Sequence, residues 1–467
     1  MRRGSRPPWL DQPEFGSRTG GILRLNVGRL AFSARVAPCA RLILSSVCLH
    51  RKGVSRMAEY IATSPPGFGA ATETMDARVW RVVGAPLVRG SGLGPLSGCT
   101  VAVKDIFAIA GQSIGAGSRA YLAEAPVERE TAPSVQALLD AGADVAGIAQ
   151  TDQFAYSIAG LNHDYGTAPN PAVRGGIPGG SSSGPASAVA LGQVDIGIGS
   201  DTAGSIRIPA SYQGLWGLRT THGAVTLAGV LPLAPRYDTV GWLTRDGSMM
   251  LATATVGLAQ RIDTTPAGRV LVCDSVNGAA VPVAAAAVMD VVAGLANAGA
   301  IEVPLRVDLP PVRELFEAFR VTQSAEAWRA DGTWVEAHPG ALAPDIAARF
   351  EWARAVTAGQ EAEGLENVRR LAAAIDAALG DDVLVLPSAA SAAPSIGASA
   401  ETLNALREAT LGMTAIAGLT GRPALSVPLA MTDDGPIGVC LVGPRGSDLA
   451  LIERAIEWQQ RWVLLPS

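Results

Sequence analysis

One stretch of sequence decides most of the interpretation of this chain. Residues 178–217 read PGGSSSGPASAVALGQVDIGIGSDTAGSIRIPASYQGLWG. The stretch opens with a loop of small residues (179–184), which suits close backbone approach and unusual dihedral angles. A predicted helix and a predicted strand follow. Residues 200–205 then form a tight turn into a second helix, which we expect to begin near Ser205.

The position of Ser205 has two interpretations. A serine at the start of a helix lies beside exposed backbone N–H groups, which stabilise a developing oxyanion. Alternatively, the hydroxyls of a Gly/Ser turn merely cap the helices. Two such loops lie 24 residues apart, around Ser181 and Ser205, with a lone lysine upstream. This combination favours a catalytic role.

The lysine stands out by composition. The 467 residues contain 37 Lys and Arg, of which only Lys52 and Lys104 are lysines and 35 are arginines. A serine nucleophile needs a base, and a buried lysine serves if its pKa falls from about 10.4 toward neutrality. Arginine cannot deprotonate in a protein. Lys104 ends an apolar strand and is the expected base. His163 and His222 flank the segment and leave a His-based triad open, although both lie in polar turns.

Composition excludes several other classes. A hydrophobic fraction of 48% and a net charge of −5 exclude a disordered chain and do not indicate nucleic-acid binding. The five cysteines form no CxxC pair and the four histidines no HxxxH or HExxH motif, so we expect no metal site, no disulfides and a cytoplasmic location. Neither lysine follows a glycine, which excludes a Walker A loop. The GxGxxA match at 115–120 follows no clear strand and does not favour a dinucleotide site. No cofactor is therefore expected.

The two ends of the chain differ in charge. Residues 1–56 hold ten arginines and one lysine against two acidic residues, a balance of +9, which leaves −14 for the rest. They resemble a basic arm or an Arg-rich transit peptide, or they precede a true start at Met57. The last interpretation is favoured because no clean helical or signal pattern is present. We expect a disordered or mis-called extension over 1–56. The apolar run at 42–49 is too short to span a membrane.

From residue 57 onward, strand and helix patterns alternate, which predicts a layered α/β fold over 57–467. Strands are predicted at 99–103, 144–149, 194–198, 301–305, 383–386 and 437–442. Helices are predicted at 134–141, 186–191 and 284–297, between 312 and 379, and at 447–462. The Ala/Ser/Pro stretch at 388–399 is expected to be a surface loop.

These motifs resemble the amidase signature family from about Gly94 to the C-terminus. Residues 179–182 are similar to its Gly-Gly-Ser-Ser loop, residues 201–205 to its nucleophile turn, and residues 94–105 to its lysine segment. The resemblance implies a single large α/β domain, in which helices cover both faces of a mixed β-sheet.

The resemblance also implies roles for individual residues. Ser205 would be the nucleophile, Ser181 a proton relay that follows a cis peptide bond, and Lys104 the neutral base. The implied oxyanion hole consists of the backbone N–H groups of Thr202, Ala203, Gly204 and Ser205. The implied supporting residues are Ser182, Ser200, Asp201 and Arg207.

Two positions depart from the family pattern: the family commonly has Gly where this chain has Ala203, and Thr where it has Ser200.

Segments 153–157, 164–167 and 238–242 most resemble the indole-3-acetamide-hydrolase-like subgroup. Phe154, Tyr156 and the stretch 316–328 are candidate pocket walls, although aromatic residues at such spacing more often belong to a core.

The predicted function is hydrolysis of a small carboxamide to its acid and ammonia or an amine, through a serine acyl-enzyme. The expected partner is a small-molecule amide, with no nucleic acid and no membrane, and a homodimer is compatible with the sequence. One alternative is the amidase-type subunit of a glutamine-dependent tRNA amidotransferase. Another is a catalytically silent binding protein on the same scaffold.

Overall fold

The computed structural model describes residues 75–258, 264–266 and 268–464. The basic extension 1–56 and the expected start at Met57 lie outside these residues. The described strands form one eleven-stranded mixed sheet in the order β1-β3-β2-β4-β6-β5-β10-β11-β9-β7-β8. Together with the helices, this sheet confirms the predicted single α/β domain.

The strands, in chain order, are β1 (Trp80–Val88), β2 (Thr100–Lys104), β3 (Asp144–Ala149), β4 (Ile196–Ser200), β5 (Trp216–Arg219), β6 (Val240–Thr244), β7 (Val270–Val272), β8 (Leu305–Arg306), β9 (Val383–Pro387), β10 (Ala424–Thr432) and β11 (Gly435–Val442). The described helices are α1 (Arg119–Glu124), α2 (Pro133–Asp140), α3 (Ser183–Ala190), α4 (Arg207–Gln213), α5 (Gly247–Gly257), α6 (Asp274–Asn277), α7 (Pro282–Asn297), α8 (Val312–Ala337), α9 (Pro344–Ala355), α10 (Ala358–Leu379), α11 (Ala400–Thr420) and α12 (Asp448–Val463).

Strand β2 has apolar packing on both faces. Val101 and Val103 point to one face, where they join a core cluster that includes Leu138 of α2. Ala102 points to the other face and joins a second cluster with Val189 of α3. This alternation follows from the two-residue period of a strand. It explains why β2 is a continuous apolar run, as is usual for a strand covered on both faces.

The register of the parallel strands determines where β2 ends. Strand β2 lies parallel to both β3 and β4, with Val103 opposite Ile198 of β4. Because the carboxyl ends of parallel strands meet at one edge of a sheet, Lys104 and Ser200 end their strands side by side. The fold therefore brings together two polar residues that are 96 positions apart in the chain.

Two sequence predictions differ from the structure, and several elements were not predicted from the sequence. The strand expected at 301–305 does not form over 301–304; the two-residue strand β8 begins only at Leu305, after Pro304, a residue unable to donate a ladder hydrogen bond. The stretch 388–399 is not simply a surface loop, because residues 388–393 are buried. Strand β10 was not predicted. It contains Pro428, which the pairing with β11 accommodates at an irregularity between Val427 and Ala430.

The length and composition of the helices can be compared with what a membrane-spanning helix requires. Among the described residues, no helix combines the length and apolar composition needed to cross a bilayer.

Helix α5 ends against a buried aromatic ring, which generates a prediction about stability. A Cβ added at Gly257 would lie 2.0 Å from Cζ2 of Trp242, a fully buried side chain. Overpacking of this kind costs roughly 1–3 kcal/mol because the surrounding core has to shift. We expect Gly257→Ala to lower the free energy of unfolding by about 2 kcal/mol in urea denaturation.

Gly359 provides the matched control. It is exposed in the first turn of α10, and the nearest atom to an added Cβ is Thr357 Oγ1 at 4.0 Å. Gly359→Ala should be neutral or stabilising by roughly 0.4–1 kcal/mol. Equal unfolding free energies for the two variants would contradict the packing described for α5.

Candidate active site

Lys104 lies at the centre of the site. Its side chain is fully buried, and its Nζ donates to Ser181 Oγ and to Ser200 Oγ, both at 2.8 Å. Ser181 belongs to the loop before α3, and Ser200 ends β4. The lysine thus joins the two Gly/Ser loops recognised in the sequence.

Burial lowers the pKa of Lys104 from about 10.5 to about 7. Loss of hydration is the main cause, because a charged ammonium is costly in an apolar interior. The carboxylates of Asp152, Asp238 and Asp201 act in the opposite direction and keep the pKa from falling further. Near neutral pH, a substantial fraction of Lys104 is therefore an uncharged amine with a free lone pair.

The loop before α3 holds Ser181 by its backbone. The Gly180–Ser181 peptide bond is cis, as the resemblance implied. The Ser181 carbonyl accepts a hydrogen bond from Thr151 Oγ1 at 2.9 Å. The next residue, Ser182, donates its backbone N–H to the Ser205 carbonyl at 3.3 Å, and its hydroxyl donates to the Ser200 carbonyl at 3.3 Å. These contacts hold the Ser181 loop against the turn that carries Ser205.

A single buried carboxylate organises that turn. Asp201 accepts two hydrogen bonds from the Arg207 guanidinium, at 2.9 and 3.0 Å, and one from Arg219 at 3.1 Å. It also accepts from the backbone N–H groups of Gly204, at 2.9 Å, and of Ile206, at 3.2 Å. Burial alone raises the pKa of Asp201, but the two arginines and the hydrogen bonds outweigh it and hold the pKa well below its usual range.

The backbone of the turn presents donors for an oxyanion. The Gly204 N–H is already engaged by Asp201, unlike the other N–H groups of the implied hole. Within the described residues, the N–H groups of Thr202, Ala203 and Ser205 make no hydrogen bond. Of the four expected donors, these three therefore have no partner in the described part of the chain, and the fourth is bound to Asp201.

The departure at Ala203 is accommodated by the local backbone. The φ angle of Ala203 lies outside the left-handed region, whereas Gly204 has a φ of 112°. The position that needs glycine is therefore Gly204, where this chain has one. Thr414 of α11 donates to the Ala203 carbonyl at 2.7 Å and fixes the orientation of that peptide.

Two further carboxylates support the site. Asp238 accepts a hydrogen bond from Thr202 Oγ1 at 2.6 Å and from the backbone N–H groups of Leu233 and Ala234. Asp152 accepts from the backbone N–H of Gly160 at 3.0 Å. Burial raises the pKa of both carboxyl groups. Among the described residues, no group of three or more His, Cys, Asp or Glu is arranged to hold a metal ion.

Ser205 is buried at the wall of a narrow cavity. The cavity is lined by Ala155, Tyr156, Ser157, Ile158, Ala203, Ser205, Leu233, Gln323, Arg407 and Leu411. Within the described residues, the Ser205 hydroxyl makes no hydrogen bond to Ser181 or to Lys104. Hydrogen bonds between catalytic groups are often long in ligand-free enzymes and tighten when substrate binds.

The sequence-predicted pocket walls divide into two groups. Tyr156 lines the cavity, as does Gln323 from the predicted stretch 316–328. Phe154 does not line it. Instead, its ring packs in the core against Trp334 and Phe350, with centroid distances of 5.1 and 5.9 Å. Tyr156 also packs against Phe350, with a centroid distance of 5.1 Å, but of these two aromatic residues it is the one that lines the cavity.

The two histidines that left a His-based triad open both lie away from the cavity. His163 is exposed, with its ring near Asp164, and His222 is exposed and contacts the Pro235 carbonyl at 3.0 Å. Neither lines the cavity beside Ser205.

Several residues that matter in the structure have no role predicted from the sequence. These are Asp152, Arg219, Asp238, Arg407 and Thr414. Of these, only Arg219 could have been singled out from the sequence, because it is a charged residue at the end of the apolar stretch 215–219. The contributions of the others depend on long-range contacts.

The sequence is similar to those of known proteins. The sequence model of the amidase family matches residues 83–262 and 274–452. The chain belongs to the amidase family. It is 32% identical over 412 residues to amidase 1 of Arabidopsis thaliana, an alignment covering 81% of this chain and 96% of the relative. The family confirms the prediction of an amide-hydrolysing enzyme.

Two further similar proteins concern the fold of the chain and the alternative function of an amidotransferase subunit. The chain is 31% identical over 404 residues to a glutamyl-tRNA(Gln) amidotransferase subunit of Natronomonas pharaonis, in an alignment that covers 77% of this chain and 94% of the relative. A solved amidase structure superimposes with a TM-score of 0.71 at 25% identity and covers 87% of this chain and 95% of that one.

The Asp201 cluster generates a second prediction. Asp201→Asn keeps the shape of the side chain but leaves two buried guanidinium groups without a counter-charge. We expect the free energy of unfolding at pH 7 to fall by about 3 kcal/mol or more in denaturant titration. The pKa of Asp201 is lowered in the folded state. The native protein should therefore be more stable than Asp201→Asn above the unfolded-state pKa of about 3.9, and this difference in unfolding free energy should shrink as the pH falls below that value.

An exposed ion pair supplies the control. Asp274 pairs with Arg306, and both side chains are largely exposed. Asp274→Asn should change stability by less than about 0.5 kcal/mol at any pH. If Asp201→Asn lowers the free energy of unfolding no more than Asp274→Asn does, the Asp201 cluster does not hold the turn.

Proposed function

We propose that the protein hydrolyses small carboxamides through an acyl-enzyme on Ser205. Ser205 Oγ attacks the amide carbonyl carbon, and the resulting oxyanion is bound by the N–H groups of Thr202, Ala203 and Ser205. The C–N bond then breaks and releases ammonia or an amine. A water molecule attacks the ester that remains and liberates the carboxylic acid, which regenerates the Ser205 hydroxyl.

In this proposal, proton transfer runs through Ser181. The neutral amine of Lys104 accepts the Ser181 proton, while Ser181 takes the proton that Ser205 loses on attack. In the collapse of the intermediate, the same groups return a proton to the leaving nitrogen. The observation that carries the proposal is the 2.8 Å contact between Ser181 Oγ and a buried lysine whose pKa lies near 7. A base with such a pKa is suited to transfer at neutral pH.

An amidotransferase subunit is the second candidate, favoured by the similarity to the Natronomonas pharaonis protein. A glutamine-dependent amidotransferase would hydrolyse glutamine and need further subunits. We expect the isolated protein to turn over simple carboxamides with higher kcat/KM than glutamine. The reverse preference, together with partners recovered in a pull-down of the tagged protein, would favour the amidotransferase function.

We further propose a cytoplasmic protein that acts on a small-molecule amide without a cofactor, as a monomer or a homodimer. Size-exclusion chromatography with light scattering measures the oligomeric state directly.

The nucleophile assignment generates a third prediction. Ser205→Ala removes the attacking oxygen and should lower kcat by on the order of 10⁴-fold or more. It should also abolish labelling by a fluorophosphonate probe, which reacts with activated serines. Ser211 offers a control, because it is buried in α4 and its hydroxyl bonds the backbone N–H of Gly438. Ser211→Ala should keep both activity and labelling, and labelling that persists in Ser205→Ala would contradict the assignment.

The base generates a fourth prediction. Because only the neutral amine accepts a proton, kcat/KM should fall about tenfold per pH unit below the Lys104 pKa of about 7. Lys104→Arg should lower kcat/KM by about 10²-fold or more at pH 7.5, because a guanidinium group stays charged and cannot accept the proton. A flat profile between pH 6 and 8, or near-normal activity of the arginine variant, would show that another group is the base.

A further inference from the structure

The cavity beside Ser205 carries a charge that the proposed reaction does not use. Most of its lining is apolar, from Ala155, Ile158, Leu233 and Leu411. Arg407, which projects from α11, is the charged residue in the described lining, and no acidic residue accompanies it. Hydrolysis of an amide by the mechanism above requires no such cation.

Arg407 makes no ion pair among the described residues. Its guanidinium takes part in no hydrogen bond there, and its Nε is buried without a partner. Two arginines close enough to affect it each have a carboxylate. Arg320 lies 2.9 Å from Glu317, and Arg349 lies 3.2 Å from Asp345. Arg407 thus remains the unpaired member of a positive cluster.

This arrangement is costly in the absence of a ligand. Burial lowers the pKa of Arg407 to about 10, and the positive charge of Arg349 adds to the effect, while Tyr156 and Glu408 oppose it more weakly. The group nevertheless stays protonated at neutral pH. Arg407 is partly exposed, but its Nε is buried without a partner, so an anion that enters the cavity would gain more there than at the open surface.

Gln323 adds a second unused group to the same cavity. It lies on α8, is buried, and lines the cavity with Ser205 and Arg407. No hydrogen bond of its side-chain amide is found among the described residues. A guanidinium and an amide that both lack partners match the donor pattern needed to bind a carboxylate.

We propose that the substrate carries a carboxylate in addition to the amide, and that Arg407 binds this carboxylate. This inference rests on the hydrolase function proposed above and narrows its substrate class. The narrow cavity beside Ser205 favours a short molecule, such as the monoamide of a small dicarboxylic acid. Its amide carbonyl would meet Ser205 while the distal carboxylate meets the planar guanidinium, and the product would be the dicarboxylate.

The test compares matched amides in kcat/KM assays with purified full-length protein. One series consists of monoamides of dicarboxylic acids with two to six carbons. The other replaces each free carboxylate by an acetyl group of similar size, and indole-3-acetamide serves as a neutral aryl comparator. We expect the native protein to prefer the best carboxylate-bearing amide over its neutral counterpart by at least about tenfold.

Variants of Arg407 then separate recognition from catalysis. Arg407→Leu should lower kcat/KM for the carboxylate series by about 100-fold and change the neutral series by less than about threefold. Arg407→Lys should retain part of the preference, because it keeps the charge but loses the planar fork. Arg369→Leu, an exposed position on α10, should leave both series unchanged.

Fluorophosphonate labelling of Ser205 supplies a readout independent of turnover. Small dicarboxylates should slow labelling of the native protein and fail to slow labelling of Arg407→Leu. If the native protein prefers neutral amides, or if Arg407→Leu lowers both series equally, the carboxylate site is wrong and the hydrolase function stands. If no amide is hydrolysed and Ser205 is not labelled, the proposed function fails and this inference fails with it.

Discussion

A lysine amine can lie inside a packed domain only if its surroundings disfavour the charged form and still give its N–H groups partners. Lys104 meets this constraint through Ser181, from the loop before α3, and Ser200, from the end of β4, whose hydroxyl oxygens both lie 2.8 Å from Nζ. The parallel register of β2 and β4 and the path of the loop before α3 must therefore be correct together. The same arrangement that makes burial tolerable also leaves an amine with a pKa near neutrality.

Asp201 has the complementary role on the other side of the site. Its carboxylate collects two guanidinium groups and the N–H groups of Gly204 and Ile206, so the turn before α4 has little freedom. The Gly204 N–H is bound to Asp201, and in the proposed mechanism the three neighbouring N–H groups bind the oxyanion. A fixed set of donors of this kind needs no reorganisation during a reaction, which is the condition for effective electrostatic stabilisation. Charge pairing deep in the core thus serves the geometry of the turn.

Much of this site could be predicted from sequence because its chemistry is local. Lys104 was identifiable as the titratable cation at the end of an apolar strand, and the two Gly/Ser loops were dense enough to recognise. Strand β10 escaped prediction because Pro428 normally argues against a strand, and only its irregular pairing with β11 shows how it is tolerated. Arg407 could not be singled out from the sequence, because no sequence pattern reveals that its guanidinium lacks an ion-pair or hydrogen-bond partner among the described residues. Likewise, the burial of residues 388–393 depends on elements packed around them.

The central claim is that Lys104 is a base with a near-neutral pKa, and the composition of the chain makes it directly measurable. Because the sequence contains only two lysines, protein labelled with ¹⁵N at lysine Nζ gives at most two side-chain NMR signals, and Lys104→Arg assigns one of them. In a pH titration, the account predicts that the Lys104 signal titrates near 7. A midpoint near the ordinary lysine value of about 10.4 would contradict it.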